Sequence, residues 1–186
     1  LQLEREDAIN DPEYTHWLNV LIDPGSSLGG ARPKASVVDD HGHLWIAKFP
    51  SSRDEKNTGA WEMVLHELAN ACGIKVSEAR LQKFSGKHHT FLSKRFDRTK
   101  DQRRIHFASA MTLLGLEDGA DHMEGIGYLD LVGFIMQNSP EVKEDLEQLW
   151  RRMAFNILVS NTDDHLRNHG FLLTPQGWRL SPAYDM

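Results

Sequence analysis

Between a helical pattern ending near Ser160 and a short hairpin, the chain carries Asn161-Thr162-Asp163-Asp164-His165-Leu166-Arg167-Asn168, and Tyr184-Asp185 follows. An aspartate and an asparagine stand five residues apart, and another aspartate comes later. Phosphoryl transfer uses these parts. One carboxylate orients the attacking hydroxyl and accepts its proton; an amide and a further carboxylate hold Mg²⁺ on the phosphates of ATP. The Asp163-to-Asn168 interval equals that of the kinase catalytic loop, H-R-D-x-x-x-x-N. Singly, each residue is explained as well by capping and turn formation. Three at this spacing are harder to assign to turns. His165 and His169 raise a rival, a metal-dependent hydrolase with Asp and His ligands. The 10 histidines form no second cluster such as H-E-x-x-H, which places that rival lower.

Upstream, Ala35–Val38 and His43–Phe49 read as strands joined by the turn Asp39-Asp40-His41-Gly42. In the second strand Leu44, Ile46 and Lys48 point one way, and Trp45, Ala47 and Phe49 the other. Residues 59–72 read as a helix with Trp61, Leu65, Leu68 and Cys72 on its apolar face. Asn57 or Thr58 can cap its start and Gly73 can close its end. Residues 76–84 and 89–96 read as a hairpin about Ser85-Gly86-Lys87, and residues 107–116 as a short helix. Ser139-Pro140 starts a helix expected to run to about Ser160, with Val142, Leu146, Leu149, Met153 and Ile157 as its apolar stripe. Phe171–Leu173 and Trp178–Leu180 flank Pro175-Gln176-Gly177 as a last hairpin.

Lys48 ends a strand with apolar residues on both faces. Burying an unpaired ammonium is costly, so an anionic partner is expected. ATP phosphates would serve, with Glu62 on the next helix holding the lysine, as in the strand-lysine and helix-glutamate pair of kinases. By itself Lys48 would be read as reaching water at the strand end; beside Asp163, Asn168 and Asp185 the functional reading is better. Glu67 competes for the pairing role. Glu62 is preferred because it lies near the helix start, where the dipole favours an acid. The loop Ser26–Lys34 is rich in glycine and serine, and its backbone N–H groups could wrap phosphates. It matches neither G-x-x-x-x-G-K-[ST] nor G-x-G-x-x-G.

The chain has 186 residues, 40% apolar and 26% charged, which suits one large domain or two small lobes. Its net charge of −6 argues against a nucleic-acid binder, although Arg98–Arg104 is locally basic. A single cysteine, Cys72, excludes an internal disulfide framework, fits a cytoplasmic protein and reads as a small core residue. No apolar run approaches a membrane span, so no membrane partner is expected. The order of strands, a helix and strands, then mostly helices predicts a two-lobed α+β arrangement with a cleft.

With the loop and Leu180-Ser181-Pro182-Ala183-Tyr184-Asp185 set side by side, the chain resembles the HipA-type serine/threonine kinases, the toxin partners of HipBA toxin–antitoxin modules. Further segments are similar in the same order. Ser27-Leu28-Gly29-Gly30-Ala31-Arg32-Pro33-Lys34 resembles the family's Ser-x-x-Gly-Ala-x-x-Lys phosphate loop. Trp45-Ile46-Ala47-Lys48-Phe49-Pro50 resembles its strand-lysine segment, and Glu62 with Leu68-Ala69 and Gly73-Ile74 its helix. Lys94-Arg95-Phe96-Asp97-Arg98 resembles its hinge-side E-R-F-D-R. The resemblance covers residues 26–186.

The resemblance implies a kinase-like α+β fold with a small β-rich N-lobe and a mostly helical C-lobe. Residues 1–24 would be a linker or the edge of an upstream domain, 25–98 the N-lobe, and 99–186 a partial C-lobe. It implies Asp163 as catalytic base and Asn168 and Asp185 as Mg²⁺ ligands. Gly29, Gly30, Ala31, Arg32, Lys34, Lys48, Glu62, Lys94, Phe96, His165, Arg167, Asn168, Tyr184 and Asp185 would line the ATP site, and Ser27 would be the site of inhibitory autophosphorylation. Lys94 stands where the family commonly has Glu, and Pro33 removes one backbone donor from the phosphate loop. A protein substrate is implied, an aminoacyl-tRNA synthetase among the candidates. The implied partner is a small HipB-like helix-turn-helix antitoxin through which DNA is met indirectly. Two other readings stay open: a nucleotide-binding regulatory module without catalysis, and a small-molecule phosphotransferase on a kinase-like fold. The start at Leu1 and the stop one residue past Asp185 read as a fragment truncated at both ends, with apolar surface left exposed in the second lobe.

Overall fold

A computed structural model describes residues 32–51, 54–84, 87–117 and 126–186. The expected linker at residues 1–24, the phosphate-loop residues Ser26, Ser27, Gly29, Gly30 and Ala31, and Ser85-Gly86 lie outside the described residues. The chain forms two units. One takes residues up to His66 together with Glu78–Arg95; the other takes Glu67–Ser77 and Phe96–Met186.

The first unit is built on a four-stranded antiparallel sheet. Its strands are β1 (Lys34–Val38), β2 (Leu44–Lys48), β3 (Ala79–Gln82) and β4 (Thr90–Lys94), in the order β1-β2-β4-β3. The β1–β2 turn is fixed by Asp39. Its carboxylate accepts from the backbone N–H of His43 at 2.8 Å and His41 at 3.0 Å, and from Trp45 Nε1 at 2.9 Å. Gly42, at φ +80°, supplies the left-handed residue that closes this turn. Trp45, Ala47 and Leu92 form the buried core, flanked by Val37, Phe49 and Phe84. Burying a large apolar side chain of this kind stabilises by roughly 1.5–3 kcal/mol.

Helix α1 (Thr58–Ala71) follows the sheet's first hairpin. Asn57 Oδ1 accepts from Ala60 N at 3.3 Å and His89 N at 3.0 Å, so one side chain caps the helix and ties it to the approach to β4. The helix ends at Gly73, φ +75°, where Ile74 N reaches back to Ala69 O at 3.0 Å. The expected apolar face is not the buried one. Trp61 is 59% exposed and Leu68 48%, and Cys72 is exposed, so it is not a core residue. Glu62 faces Lys48 and His66 faces Phe91, with ring centroids 5.9 Å apart, while Ala69 is buried. An ion pair to the sheet sets this rotation, and hydrophobic periodicity does not register it.

The second unit holds a three-stranded sheet, β5 (Phe107–Ser109), β6 (Gly170–Thr174) and β7 (Gly177–Leu180), paired antiparallel in that order. The helix expected over 107–116 is therefore a strand followed by one short turn, α2 (Ala110–Leu113). The backbone of Phe107–Ser109 pairs with Gly170–Leu172, and Ser109 Oγ then caps Thr112 N at 3.2 Å. Helix α3 (Tyr128–Asn138), which the sequence did not separate, precedes α4 (Val142–Leu158). Ser139 closes α3, with its N–H on Ile135 O, before its Oγ accepts from Glu141 N at 3.0 Å. That double duty delays the start of α4 beyond Pro140. The core gathers Ala110, Leu131, Ile135, Leu149, Leu166, Phe171 and Leu180.

Helix α4 keeps Leu149 of its expected stripe in the core, with Val142 and Leu146 packed against it, but it buries polar residues too. Its buried residues are Asp145, Gln148, Leu149, Arg152, Phe155 and Asn156, while Ile157, assigned to the apolar stripe, is 71% exposed. Leu129, Met136, Trp150 and Leu158 are also exposed on α3 and α4. Among the described residues no helix is long and apolar enough to cross a membrane.

Candidate active site

In the first unit, Lys48 Nζ is paired with Glu62, and the two side chains are only 14% and 20% exposed. Glu67, the competing acid, is exposed. Lys48 also lies over the Phe91 ring, 5.8 Å from its centroid. Directly opposite Lys48 across the β1–β2 pair stands Lys34. Facing residues of an antiparallel pair share one side of the sheet, and like charges there repel. Lys34 and Lys48 thus place two cationic residues on one side of the sheet.

Arg32 is engaged elsewhere. Its Nη2 donates to Asp54 Oδ1 at 2.6 Å and to Thr58 Oγ1 at 2.9 Å, which fastens it to the start of α1. Lys94 reaches Glu78 at 3.1 Å and lies 5.8 Å from the Trp45 ring centroid.

In the second unit, α4 ends with Ser160 in the left-handed region, φ +56°, and the chain turns into the Asn161–Asn168 loop. Asn161 Oδ1 accepts from Asp163 N at 3.1 Å, and Asn168 Nδ2 donates to Asp163 O at 2.9 Å. The loop is thus closed around Asp163, whose side chain is exposed and receives no hydrogen bond from a described residue. The Asn168 amide spends a donor on the backbone and keeps Oδ1 as an acceptor. His165 Nδ1 is buried with no hydrogen-bond partner among the described residues.

Asp164, next in sequence, is the opposite case. Its carboxylate, 14% exposed, accepts from Tyr128 Oη and from His169 Nε2 at 3.0 Å, with Asn156 nearby. Burial pushes this carboxyl up, but the hydrogen bond and charge of His169, with Tyr128 and Asn156, outweigh it and hold the group below its ordinary value. The Tyr128 phenol is correspondingly raised, by burial first and then by Asp164.

Asp185 sits at φ +53°, a left-handed conformation that costs an ordinary residue about 1 kcal/mol and that Asp tolerates better than most. Tyr184 before it donates to Arg167 O at 2.8 Å and packs against Phe96 and Phe107, centroids 5.8 and 6.1 Å away. Burial and then the Asp185 charge raise its phenol, which stays a donor. Thus Phe96, Tyr184 and Arg167 meet, and the Asp185 segment is tied to the loop.

Beneath lies a row of polar residues on α4 that the sequence reading passed over. Asp145 accepts from Arg179 Nε at 3.0 Å, from Ser139 Oγ at 2.7 Å and from Leu180 N at 3.2 Å. Gln148 accepts from Lys75 N at 2.8 Å and donates to Gly73 O at 3.0 Å. Arg152 donates to Ser181 O, with Nε and Nη1 unpartnered among the described residues. Burial lowers its pKa to about 10, with Tyr184, Asp145, Tyr128 and Asp164 opposing. Asn156 Oδ1 accepts from Asn161 Nδ2 at 3.3 Å, and its backbone oxygen from Asn161 N at 2.9 Å. The signal was present as polar residues spaced by three and four within the helix, the period of one face.

Residues 26–186 match the family model described as the HipA-like C-terminal domain, and the chain belongs to that family. The serine/threonine-protein kinase toxin HipA of Shewanella oneidensis is 27% identical over 207 aligned residues, covering 96% of this chain and 46% of that protein. A solved Shewanella oneidensis complex of HipA, HipB and operator DNA contains a chain that superposes with a TM-score of 0.69 at 23% identity, covering 86% of this chain and 43% of that one. The Helicobacter pylori proinflammatory kinase CtkA gives 0.62 at 23% identity, covering 82% and 53%. The chain spans about half the length of the curated relatives it matches, 52% of a putative kinase of Haemophilus influenzae and 46% of the Shewanella HipA. These likenesses establish the kinase-like α+β fold.

Proposed function

We propose that the chain carries the phosphoryl-transfer centre of an ATP- and Mg²⁺-dependent protein serine/threonine kinase. The observation that carries this reading is the unequal treatment of the loop's groups. Asp163 keeps an uncommitted carboxylate, while Asn161 and Asn168 are spent on holding its backbone. A catalytic base needs that combination of a fixed backbone and an available oxygen.

Asp163 orients the acceptor hydroxyl and takes its proton. Lys48, held by Glu62, meets the phosphates, with Lys34 on the neighbouring strand adding charge. Asn168 Oδ1 and the Asp185 carboxylate are the Mg²⁺ ligands. Mg²⁺ is commonly held by one or two protein oxygens with phosphate and water, and these two groups would supply them. The ion supplies charge neutralisation on the triphosphate. Gly29, Gly30 and Ala31 wrap phosphate through their backbone, His165, Arg167 and Tyr184 border the nucleotide, and Lys94–Phe96 meets the adenine through its backbone. Arg32 is withdrawn to Asp54.

The acceptor is a protein hydroxyl, with Ser27 as the self-phosphorylated residue. The named partner of the Shewanella HipA structure, HipB, makes a HipB-type antitoxin the partner proposed here, with DNA reached through it.

Intact-mass spectrometry with site mapping tests the reading. Incubation with Mg-ATP is expected to add one phosphate at Ser27, and Asp163→Ala to add none. ATP binding without phosphate gain, in the presence of protein acceptors, would leave a nucleotide-binding module in its place.

A further inference from the structure

Two adjacent aspartates in the loop are used in opposite ways, and the second has no part in the chemistry above. Asp164 accepts from two separate elements and lies near a third. Tyr128 is the first residue of α3, Asn156 lies in the last turns of α4, and His169 immediately precedes β6. His169 is 3% exposed and Asn156 5%. Each donor is itself held. The His169 ring stands edge-on to Tyr128, centroids 5.4 Å apart at 72°, and its backbone oxygen accepts from Ala110 N at 2.8 Å. Its other ring nitrogen, Nδ1, has no partner among the described residues, so its one side-chain hydrogen bond goes to Asp164. Asn156 lies near Asp164 and accepts from Asn161.

From these contacts we infer that Asp164 is a positioning residue, which fixes the loop backbone so that the Asp163 carboxylate and the Asn168 amide are presented in one arrangement. The inference rests on the proposed kinase reading for its catalytic consequence. The linkage runs in both directions along the chain. Through His169 the Asp164 clamp fixes the residue after Asn168, whose Nδ2 holds Asp163 O; on the other side Asn156, near Asp164, accepts from Asn161, whose Oδ1 holds Asp163 N. The residues on either side of Asp163 are thereby anchored, and its own side chain is left open. A negative charge at Asp164 also faces the buried Arg152 guanidinium, which has two donors without partners. Loss of that charge would therefore disturb α4 as well as the loop.

The test compares the full chain with Asp164→Asn and Tyr128→Phe. Hydrogen exchange of the 161–168 amides is read together with kcat and KM for ATP in the phosphate-gain assay. Asp164→Asn keeps the size of the side chain but sets an NH₂ against donors. It is expected to speed exchange across 161–168 by about tenfold or more, with β1–β4 unchanged. It should also lower kcat by about 10–100-fold with KM for ATP within about twofold. Tyr128→Phe removes one donor and keeps the ring, and about three- to tenfold in the same direction is expected. It carries the test if Asp164→Asn does not fold.

Unchanged loop exchange in a folded variant overturns the inference. A raised KM with intact kcat does so too, because it would make Asp164 a nucleotide-binding residue. If the unsubstituted protein transfers no phosphate, the kinase reading falls, and the exchange measurement alone then decides whether Asp164 orders the loop.

Discussion

Lys34 and Lys48 face each other across the β1–β2 pair, and Glu62 neutralises one of them. Like charges on one side of a sheet repel, and carboxylates such as Glu62 relieve that repulsion.

Replacing Lys48 by methionine removes the repulsion and the charge together. The expected result is a rise in the KM for ATP of more than about tenfold, since charge-assisted contacts to phosphate contribute about 1.5–3 kcal/mol. Thermal stability without nucleotide should fall, because Glu62, only 20% exposed, is left without its lysine. Isothermal titration and a melting curve check both halves. Nucleotide affinity equal to that of the unsubstituted protein would remove Lys48 from the site.

Asp145 is 2% exposed and binds Arg179, Ser139 and the backbone of Leu180. Asp145→Ala strands those donors, and breaking a buried pair in this way costs about 3–5 kcal/mol. Urea denaturation should show the midpoint falling with the slope unchanged. A loss below about 1 kcal/mol would mean that water replaces the carboxylate.

Gly170 opens β6 where a Cβ would stand 2.2 Å from Phe107 Cε2 and 3.0 Å from Tyr184 Oη. Gly170→Ala therefore must push the Phe107 ring aside, and Tyr184 with it. A destabilisation of about 1–3 kcal/mol is expected, with weaker ATP binding because Tyr184 anchors the residue before Asp185. Calorimetry and a binding isotherm together separate the two effects.

The hairpins were legible because their turns announce themselves. Asp39–Gly42 falls between β1 and β2, and Pro175-Gln176 between β6 and β7, whose pairing takes in Gly177. The loop at Asp163 was legible from spacing alone. Helix faces were not. On α1 the inward side chains include Glu62 and His66, so a rule that places apolar residues inside selects the wrong side; on α4 the rule finds Leu149 but misses the buried Asp145, Gln148, Arg152 and Asn156. The partners that make those burials acceptable lie far away in sequence, such as Arg179 for Asp145 and Lys75 for Gln148, and no local window contains them. The strand Phe107–Ser109 was misread for the same reason, since its pairing partner begins at Gly170.

The polar row on α4 limits how the helix can move. Apolar contacts are non-directional, and a greasy helix can slide a little and repack. Hydrogen bonds bind at fixed points, and here four side chains engage four different stretches of chain: the end of β7, the Gly73–Lys75 segment, Ser181 and the loop that begins at Asn161. A slip of one turn would break every one of them at once. The helix behaves as a keyed shaft that admits a single seating, and the loop and the approach to Asp185 inherit their alignment from the same key.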